Sequence, residues 1–210
     1  RIAKQNNEEI YMKIVSTDAL EIARRLVEIS VYTAADKEVC QIFQMMTGHF
    51  YVCVDTERKK FYRFNNAAPD CPERYWILDT GGVFLLKDVE STIRPVFEQV
   101  LSGLQREASQ VNIPEARAVY EERIGKLRTY VYGKLSNHNY MKGLRARLAE
   151  TFHDPHFMDK LDSVRYLINT PEGVYDVTDR DPAHHLLRPG QPEDYCSYVT
   201  GAHFREYEPE

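Results

Sequence analysis

Apolar residues recur at helical spacing in four stretches of the chain: residues 39–46, 89–104, 116–135 and 141–152. Side chains at positions i, i+3, i+4 and i+7 share one face of an α-helix, so each stripe predicts a helix that buries that face. Asp18 and Glu21 have the spacing of a reciprocal capping pair and predict a further helix near the N-terminus. Pro95 lies within the second stripe and predicts a helix that begins near it or bends there.

Short runs of aromatic and β-branched residues, which are typical of strands, interrupt the helical pattern. Residues 50–54 and 61–64 are separated by a charged turn and predict a β-hairpin, and residues 75–78 form a candidate third strand. Residues 166–169 and 173–177 flank a turn that contains proline and glycine, and predict a second hairpin. The pattern as a whole predicts an α+β fold, mostly helical, with two small antiparallel β-hairpins.

The second hairpin leads to an expectation about burial. Leu167 and Val174 lie in its apolar runs, and we expect both side chains to be buried. Truncating a buried leucine to alanine typically lowers the free energy of unfolding by about 2–5 kcal/mol. We therefore expect Leu167→Ala to destabilise the fold.

Composition places the chain among ordinary globular proteins. Its 210 residues, 43% of them hydrophobic, suffice for one large domain or two small ones with a buried core. No apolar run approaches the roughly 20 residues that span a bilayer, so we expect no membrane partner. The four cysteines, Cys40, Cys53, Cys71 and Cys196, have no regular spacing, which favours core thiols in a reducing compartment over disulfides or a zinc site.

The motifs that carry common enzymatic chemistry are absent from the sequence. It has no G-x-x-x-x-G-K-[ST] phosphate loop, no G-x-S-x-G and no H-E-x-x-H. We therefore expect no catalytic residue, no cofactor and no bound metal in these 210 residues. The alternative from the enzyme class is a metal-dependent nuclease. Its candidate ligands are His153, His156, His184, His185, Asp159, Asp162, Asp176, Asp179 and Asp181. Solvated histidines and turn-capping aspartates are the simpler interpretation of these residues.

Charge is unevenly distributed along the chain, and this is the more informative pattern. Eight basic residues lie between positions 117 and 147: Arg117, Arg123, Lys126, Arg128, Lys134, Lys142, Arg145 and Arg147. Only Glu121 and Glu122 oppose them, so this stretch carries +6 in a chain whose net charge is −5, which leaves −11 for the rest. A local basic stretch in an acidic chain is typical of a polyanion contact.

Two further observations refine the basic stretch. Four rings that can stack on bases, Tyr130, Tyr132, His138 and Tyr140, are interleaved with it. Helical spacing favours a DNA-facing set of Lys126, Lys134, Lys142 and Arg145, provided that two helices present those faces to one groove. The alternatives are two amphipathic helices with solvated basic faces, or a protein-interaction domain that binds an acidic partner.

The segment after residue 157 carries a more specific pattern. Residues 158–169, 171–177, 187–195 and 199–201 form an ordered series that includes Leu-Asp, Gly-Val-Tyr-Asp-Val, Arg-Pro-Gly-Gln-Pro-Glu-Asp-Tyr and Thr-Gly. This series resembles the run that precedes the superfamily 3 helicase core in poxvirus-type primase-helicases of large cytoplasmic DNA viruses, which have relatives in phages and plasmids. Upstream, residues 60–65, Trp76 and Gly81-Gly82-Val83 are similar to the aromatic hairpin, tryptophan and following helix of that family.

The sequence departs from the family pattern at three places. Glu172 stands where the family has asparagine, Thr170-Pro171 widens the turn, and the loop over residues 180–187 is longer than the pattern implies. These departures concern loops. The resemblance covers roughly residues 36–201.

The resemblance implies a domain organisation and a function. Residues 1–35 would be a linker and first helix, residues 36–201 a helicase-associated, collar-like domain, and residues 202–210 the start of a linker to a helicase core. The chain begins at Arg1, and we expect it to be a piece of a longer protein. The piece would be non-catalytic, contact DNA and help to assemble a hexameric ATP-dependent DNA helicase.

The same resemblance implies the partners and the compartment. The expected partners are DNA, the other subunits of a homo-hexamer, and the primase and helicase domains of the same chain. ATP and magnesium would be cofactors of the parent helicase, which is expected to be an NTP hydrolase with primase activity. The expected location is cytoplasmic, at viral replication sites in the infected cell.

Overall fold

The computed structural model describes residue 21 and residues 35–65, 74–178 and 187–203. These residues contain the helices α1 (Ala35–Thr47), α2 (Val83–Gln110), α3 (Pro114–Thr129), α4 (His138–Thr151) and α5 (Phe157–Lys160). They also contain the strands β1 (Tyr51–Asp55), β2 (Lys60–Phe64), β3 (Trp76–Thr80), β4 (Leu167–Thr170) and β5 (Gly173–Asp176). Glu21 is helical. The rest of the expected N-terminal helix lies outside the described residues.

The chain divides into two compact units. One, the helical unit, comprises residues 1–48 and 82–152; the other, the β unit, comprises residues 49–81 and 153–210. Both sheets belong to the β unit and are antiparallel, with three strands in one and two in the other. The predicted α+β class, mostly helical with two small antiparallel sheets, is confirmed.

Helix α2 is the longest element of the helical unit. It begins at Val83 rather than near Pro95, and it is 28 residues long with that proline in its interior. Its apolar stripe is buried as the spacing predicts, with Val89, Ile93 and Phe97 almost inaccessible to solvent. Helix α3 packs against α2, whereas α4 packs mainly against α1.

A π-helical segment, the π-turn, follows α3 and precedes the turn into α4. Residues Tyr130–Lys134 form a π-helical segment, in which the amide of Leu135 donates to the carbonyl of Tyr130 over 3.2 Å. This i→i+5 hydrogen bond adds one residue to a turn, so the 3.6-residue period does not continue across it. The chain then turns, and the Asn137 side chain caps α4 by accepting from the amides of Asn139 and Tyr140.

The three-stranded sheet has the order β1-β2-β3, which confirms the candidate third strand. One of its faces carries an aromatic core of Tyr62, Phe64 and Trp76, completed by Phe157 from α5. The Trp76 and Phe157 rings meet edge to face, with their centroids 4.9 Å apart. The indole N–H of Trp76 donates to the carbonyl of Pro192 over 2.9 Å, so the segment that contains Pro189 and Pro192 is hydrogen-bonded to the sheet.

The second hairpin is formed by β4 and β5, and it corrects the expectation about Leu167. Val174 is only 1% exposed, as expected, but Leu167 is half-buried. Both residues are on one face, and Leu167 pairs with Asp176 at the open end of the hairpin, where less of the unit covers it. The most deeply buried residue of β4 is Asn169, whose amide donates to the carbonyls of Arg74 and Tyr198. Leu167→Ala is therefore expected to lower the free energy of unfolding by less than the truncation of a fully buried leucine would.

The motif residues 188–194 form a bracing segment of the β unit. Arg188 and Asp194 form a two-pronged ion pair, with nitrogen–oxygen distances of 2.7 and 2.6 Å. Asp194 also accepts from the amide of Gln191, which closes a capping box around the turn Pro192–Asp194. Arg188 exchanges two backbone hydrogen bonds with Val174, so this segment lies along the edge of β5.

Two glycines allow this segment to approach closely. A Cβ on Gly173 would lie 2.6 Å from the carbonyl oxygen of Arg188, and the φ angle of Gly173 is +141°. A Cβ on Gly190 would lie 2.5 Å from the carbonyl oxygen of Arg74. Side chains other than hydrogen do not fit at either position. Backbone packing therefore requires glycine at both positions.

The described cysteines confirm the expectation of core thiols, and they lead to a labelling prediction. Cys40, Cys53 and Cys196 are free and buried, and Cys71 lies outside the described residues. Burial raises the pKa of the Cys40 thiol to about 12 and that of Cys196 to about 11, and it also raises the pKa of Cys53. Thiolate is the reactive form, so these thiols should resist labelling while the protein is folded.

The measurement is reaction with a disulfide reagent at mildly alkaline pH, in a Cys71→Ser variant. We expect three thiols to react rapidly in concentrated guanidinium chloride and very slowly without it. Rapid labelling of any of them in the native protein would contradict the described burial.

Candidate nucleic-acid interface

All eight predicted basic residues lie in the helical unit, but the structure places them in two different settings. The exposed members are Arg117, Arg128, Lys142 and Arg147. The half-buried members are Arg123, Lys126, Lys134 and Arg145. The difference arises from the helix period, because positions next to a buried stripe are partly covered by the neighbouring helix.

Glutamates of α3 neutralise part of the basic stretch. Arg117 pairs with Glu121 at 3.3 Å, and Lys126 pairs with Glu122 at 2.6 Å, each one turn apart. The hydrogen bond from Lys126 lowers the pKa of Glu122, so that carboxylate is charged at neutral pH. These two basic side chains are therefore less available to a polyanion than their sequence positions suggest.

Lys134 has its own partners at the end of the π-turn. Its ammonium lies 5.9 Å from the centroid of the Tyr130 ring and 5.8 Å from that of Tyr140. The two tyrosine hydroxyls are hydrogen-bonded at 2.5 Å, and burial raises the pKa of both phenols. The nearby Asp36, in the first turn of α1, also raises the pKa of Tyr140. Lys134 therefore contributes to the packing between helices.

The predicted DNA-facing set does not form one open surface. Of Lys126, Lys134, Lys142 and Arg145, only Lys142 is exposed, and the Nε atom of Arg145 is buried. The eight-residue spacing that placed Lys126 and Lys134 on one face assumed an uninterrupted α-helix. The π-turn breaks that period before Lys134 is reached.

The open cations are Arg128 on α3 and Lys142 and Arg147 on α4. Arg128 and Lys142 form no salt bridge within the part of the chain that the structure describes. Lys142 and Arg147 are separated by about 140° around the helix axis and border the face opposite the buried Leu144 and Leu148. The open face of α4 therefore carries a cation at each edge, with the exposed Glu150 between them.

The four stacking candidates also differ in their accessibility. Tyr130 is fully buried and Tyr140 is half-buried, whereas His138 is exposed and Tyr132 is 51% exposed. The sequence pattern alone did not separate these rings, of which Tyr130 and Tyr132 belong to the π-turn and His138 and Tyr140 to the first turn of α4. Only Tyr132 and His138 are accessible enough for a base to stack on them.

The structure adds Arg94 of α2, which sequence reasoning missed. Its guanidinium donates to the carbonyl of Val131 over 3.3 Å and to the Ser136 hydroxyl over 3.2 Å, and it pairs with Glu90. It also lies over the Tyr132 ring, 5.8 Å from the centroid. The Glu90–Arg94 spacing is visible in the sequence, but the contact with a segment 37 residues away is not.

Four of the five described candidate metal ligands of the nuclease alternative, His156, Asp159, Asp162 and Asp176, are engaged in other contacts. Asp162 accepts from the amide and hydroxyl of Ser197, and Asp176 accepts from the amide and hydroxyl of Thr178. His156 lies 3.5 Å from Asp159. Among the described residues no three histidine, cysteine or acidic side chains are grouped so that they could hold a metal. Asp179, Asp181, His184 and His185 lie outside that part of the chain.

No helix within residues 35–65, 74–178 and 187–203 is long and apolar enough to cross a bilayer.

Comparison with known proteins identifies the family from the sequence as a whole. The family described as D5 N terminal like matches residues 40–210, well over half of the chain. No curated protein matches the chain. The matched range includes both sheets, the bracing segment around Arg188 and the basic helices α3 and α4. The chain therefore belongs to the D5 N terminal like family, the domain of poxvirus D5-type primase-helicase proteins.

Proposed function

We propose that the chain is a non-catalytic domain of a viral replicative primase-helicase, that it contacts DNA, and that it helps to assemble a hexameric ATP-dependent helicase. Family membership supports the primase-helicase part of the proposal. In the parent protein, ATP and magnesium would act at a helicase core, and the protein would work at viral replication sites in the cytoplasm. The partners would be DNA, the other subunits, and the primase and helicase domains of the same chain.

The observation that carries the DNA contact is the open positive face of the helical unit. Arg128, Lys142 and Arg147 are exposed in a stretch of +6, within a chain of net charge −5. Cations that reach phosphates release condensed counterions, which favours binding at low salt. An acidic remainder restricts this attraction to one region, because it repels the polyanion elsewhere.

Charge reversal on α4 tests the contact. The double variant Lys142→Glu/Arg147→Glu should bind a single-stranded oligonucleotide more weakly, because two cations become anions. The slope of log affinity against log salt should become shallower by about 0.7 for each phosphate that the variant no longer reaches. The measurement is fluorescence anisotropy of a labelled oligonucleotide over a salt series, with thermal unfolding as the check on folding.

The matched control is Lys87→Glu/Arg106→Glu, which makes the same charge change at two exposed positions of α2. If the two double variants weaken binding to the same extent, net charge alone governs the interaction and the α4 face has no special role. If the α4 variant binds as tightly as the unchanged protein, the basic face is only solvated. Binding of an acidic protein partner with no affinity for DNA would support the protein-interaction alternative.

A further inference from the structure

The π-turn exposes one aromatic ring between buried neighbours. Tyr130 and Val131 before it, and Leu135 after it, are buried, yet the Tyr132 side chain is 51% exposed. An exposed ring on a surface helix is common by itself. Here the exposed ring lies within a π-helical segment, an arrangement that is rare and is found frequently at functional sites.

Arg94 holds this exposed ring in one orientation. Its guanidinium lies over the Tyr132 ring, and contacts with Glu90, Val131 and Ser136 fix the guanidinium in turn. The carbonyl of Val131 belongs to the π-turn, so one arginine braces both the backbone and the ring. A ring that is already oriented loses little rotational freedom when a ligand stacks on it.

The surroundings of Tyr132 suit a nucleotide. Arg128 is exposed and lies four residues before Tyr132, in the last turn of α3 next to the π-helical segment. An aromatic face accepts any base by stacking, and a nearby arginine can neutralise the adjoining phosphate. In duplex DNA the base faces are already stacked on one another, so such a ring requires an unpaired base.

We propose, on the basis of the proposed DNA contact, that Tyr132, oriented by Arg94, is a stacking platform for an unpaired base of single-stranded DNA. Arg128 is the adjacent phosphate contact. The domain therefore prefers single strands to duplexes of equal length, and it accepts any base at this position.

The test compares three labelled ligands of equal length: oligothymidylate, an abasic oligonucleotide and a duplex. Tyr132→Ala should weaken binding of oligothymidylate by roughly 5- to 150-fold, the usual effect of removing one base–aromatic stack. It should leave abasic binding and the salt slope unchanged, because no charge is removed. The matched control is Tyr166→Ala, which removes a tyrosine of similar exposure (46%) from the β unit and should change nothing.

A spectroscopic variant keeps the proposal testable even if Tyr132→Ala folds poorly. In Tyr132→Trp the new ring should be quenched by oligothymidylate and not by the abasic strand, against the constant background of the buried Trp76. Equal weakening on both strands for Tyr132→Ala, or no quenching in Tyr132→Trp, would overturn the stacking platform. If the α4 charge reversal still weakens binding in that case, the proposed DNA contact stands without the platform. If the unchanged protein binds none of the three ligands, both proposals fail, and a contact with a protein partner becomes the better explanation of the exposed Tyr132 ring.

Discussion

Phe157→Ala is expected to lower the free energy of unfolding by about 3–5 kcal/mol, the usual range for removing a buried aromatic side chain. Phe157 is fully buried, and its ring meets those of Tyr62, Trp76 and Tyr195, with centroid distances of 5.3, 4.9 and 6.0 Å. The cavity would lie between the three-stranded sheet and the turn that contains Tyr195.

Chemical denaturation followed by tryptophan fluorescence measures this effect, because Trp76 is the single tryptophan and belongs to the same cluster. The adjacent Met158, 46% exposed, provides the control. Met158→Ala should change the unfolding free energy by no more than about 0.5 kcal/mol. Similar destabilisation of the two variants would mean that α5 does not pack on the sheet as described.

Asp194→Ala is expected to lower the free energy of unfolding by about 3 kcal/mol, near the lower end of the range for breaking a buried ion pair. The Asp194 side chain is only 8% exposed, and it accepts from both terminal nitrogens of Arg188 and from the amide of Gln191. Removing the carboxylate leaves these donors without their acceptor. Arg188 is 39% exposed, so water partly replaces the missing carboxylate, which keeps the cost below the upper limit of about 5 kcal/mol.

The neighbouring Glu193 is the natural control for Asp194. It is more exposed than Asp194, and Glu193→Ala removes the same charge from the same turn. Equilibrium unfolding of the two variants separates the ion pair from a general charge effect. An Asp194→Ala protein as stable as Glu193→Ala would show that the bracing segment contributes little to the β unit.

The sequence predicted the elements of the fold where one period continued without interruption. Val89, Ile93 and Phe97 recur at helical spacing in α2, and all three are buried. The same period predicted that basic residues beside the apolar stripe of residues 116–135 would be grouped on a face. The prediction of a grouped basic face failed at the π-turn, which inserts one residue into the helix. A π-helical segment has no characteristic composition in a sequence. The backbone of this one is held by a distant group, the Arg94 guanidinium.

Buried polar residues were the other feature that sequence reasoning could not predict. Asn169 ends a predicted strand and Asp194 lies in a loop-like stretch, and nothing in the sequence predicted that both would be buried in the β unit. Asn169 hydrogen-bonds to Arg74, which is 95 residues away, so its burial depends on a partner far along the chain. The family resemblance identified the right segment, and the structure explains the pattern: these motif residues hold the β unit together.

The candidate interface was predictable in part. The excess of basic residues between positions 117 and 147 is a property of the sequence, but its division into open and engaged side chains is not. Glu122 and Lys126 pair at a spacing that the sequence shows, whereas the two tyrosine rings lie beside Lys134 through contacts that depend on helix packing. The structure therefore moves the expected DNA contact toward Arg128, Lys142 and Arg147.

The most direct test of the proposed function is a titration of the unchanged chain with a labelled single-stranded oligonucleotide at several salt concentrations. We expect binding at low salt that weakens as salt rises, with a slope of about −0.7 for each phosphate contacted and at least about two phosphates contacted in all. No binding at the lowest salt concentration, or an affinity independent of salt, would contradict a DNA contact by this domain.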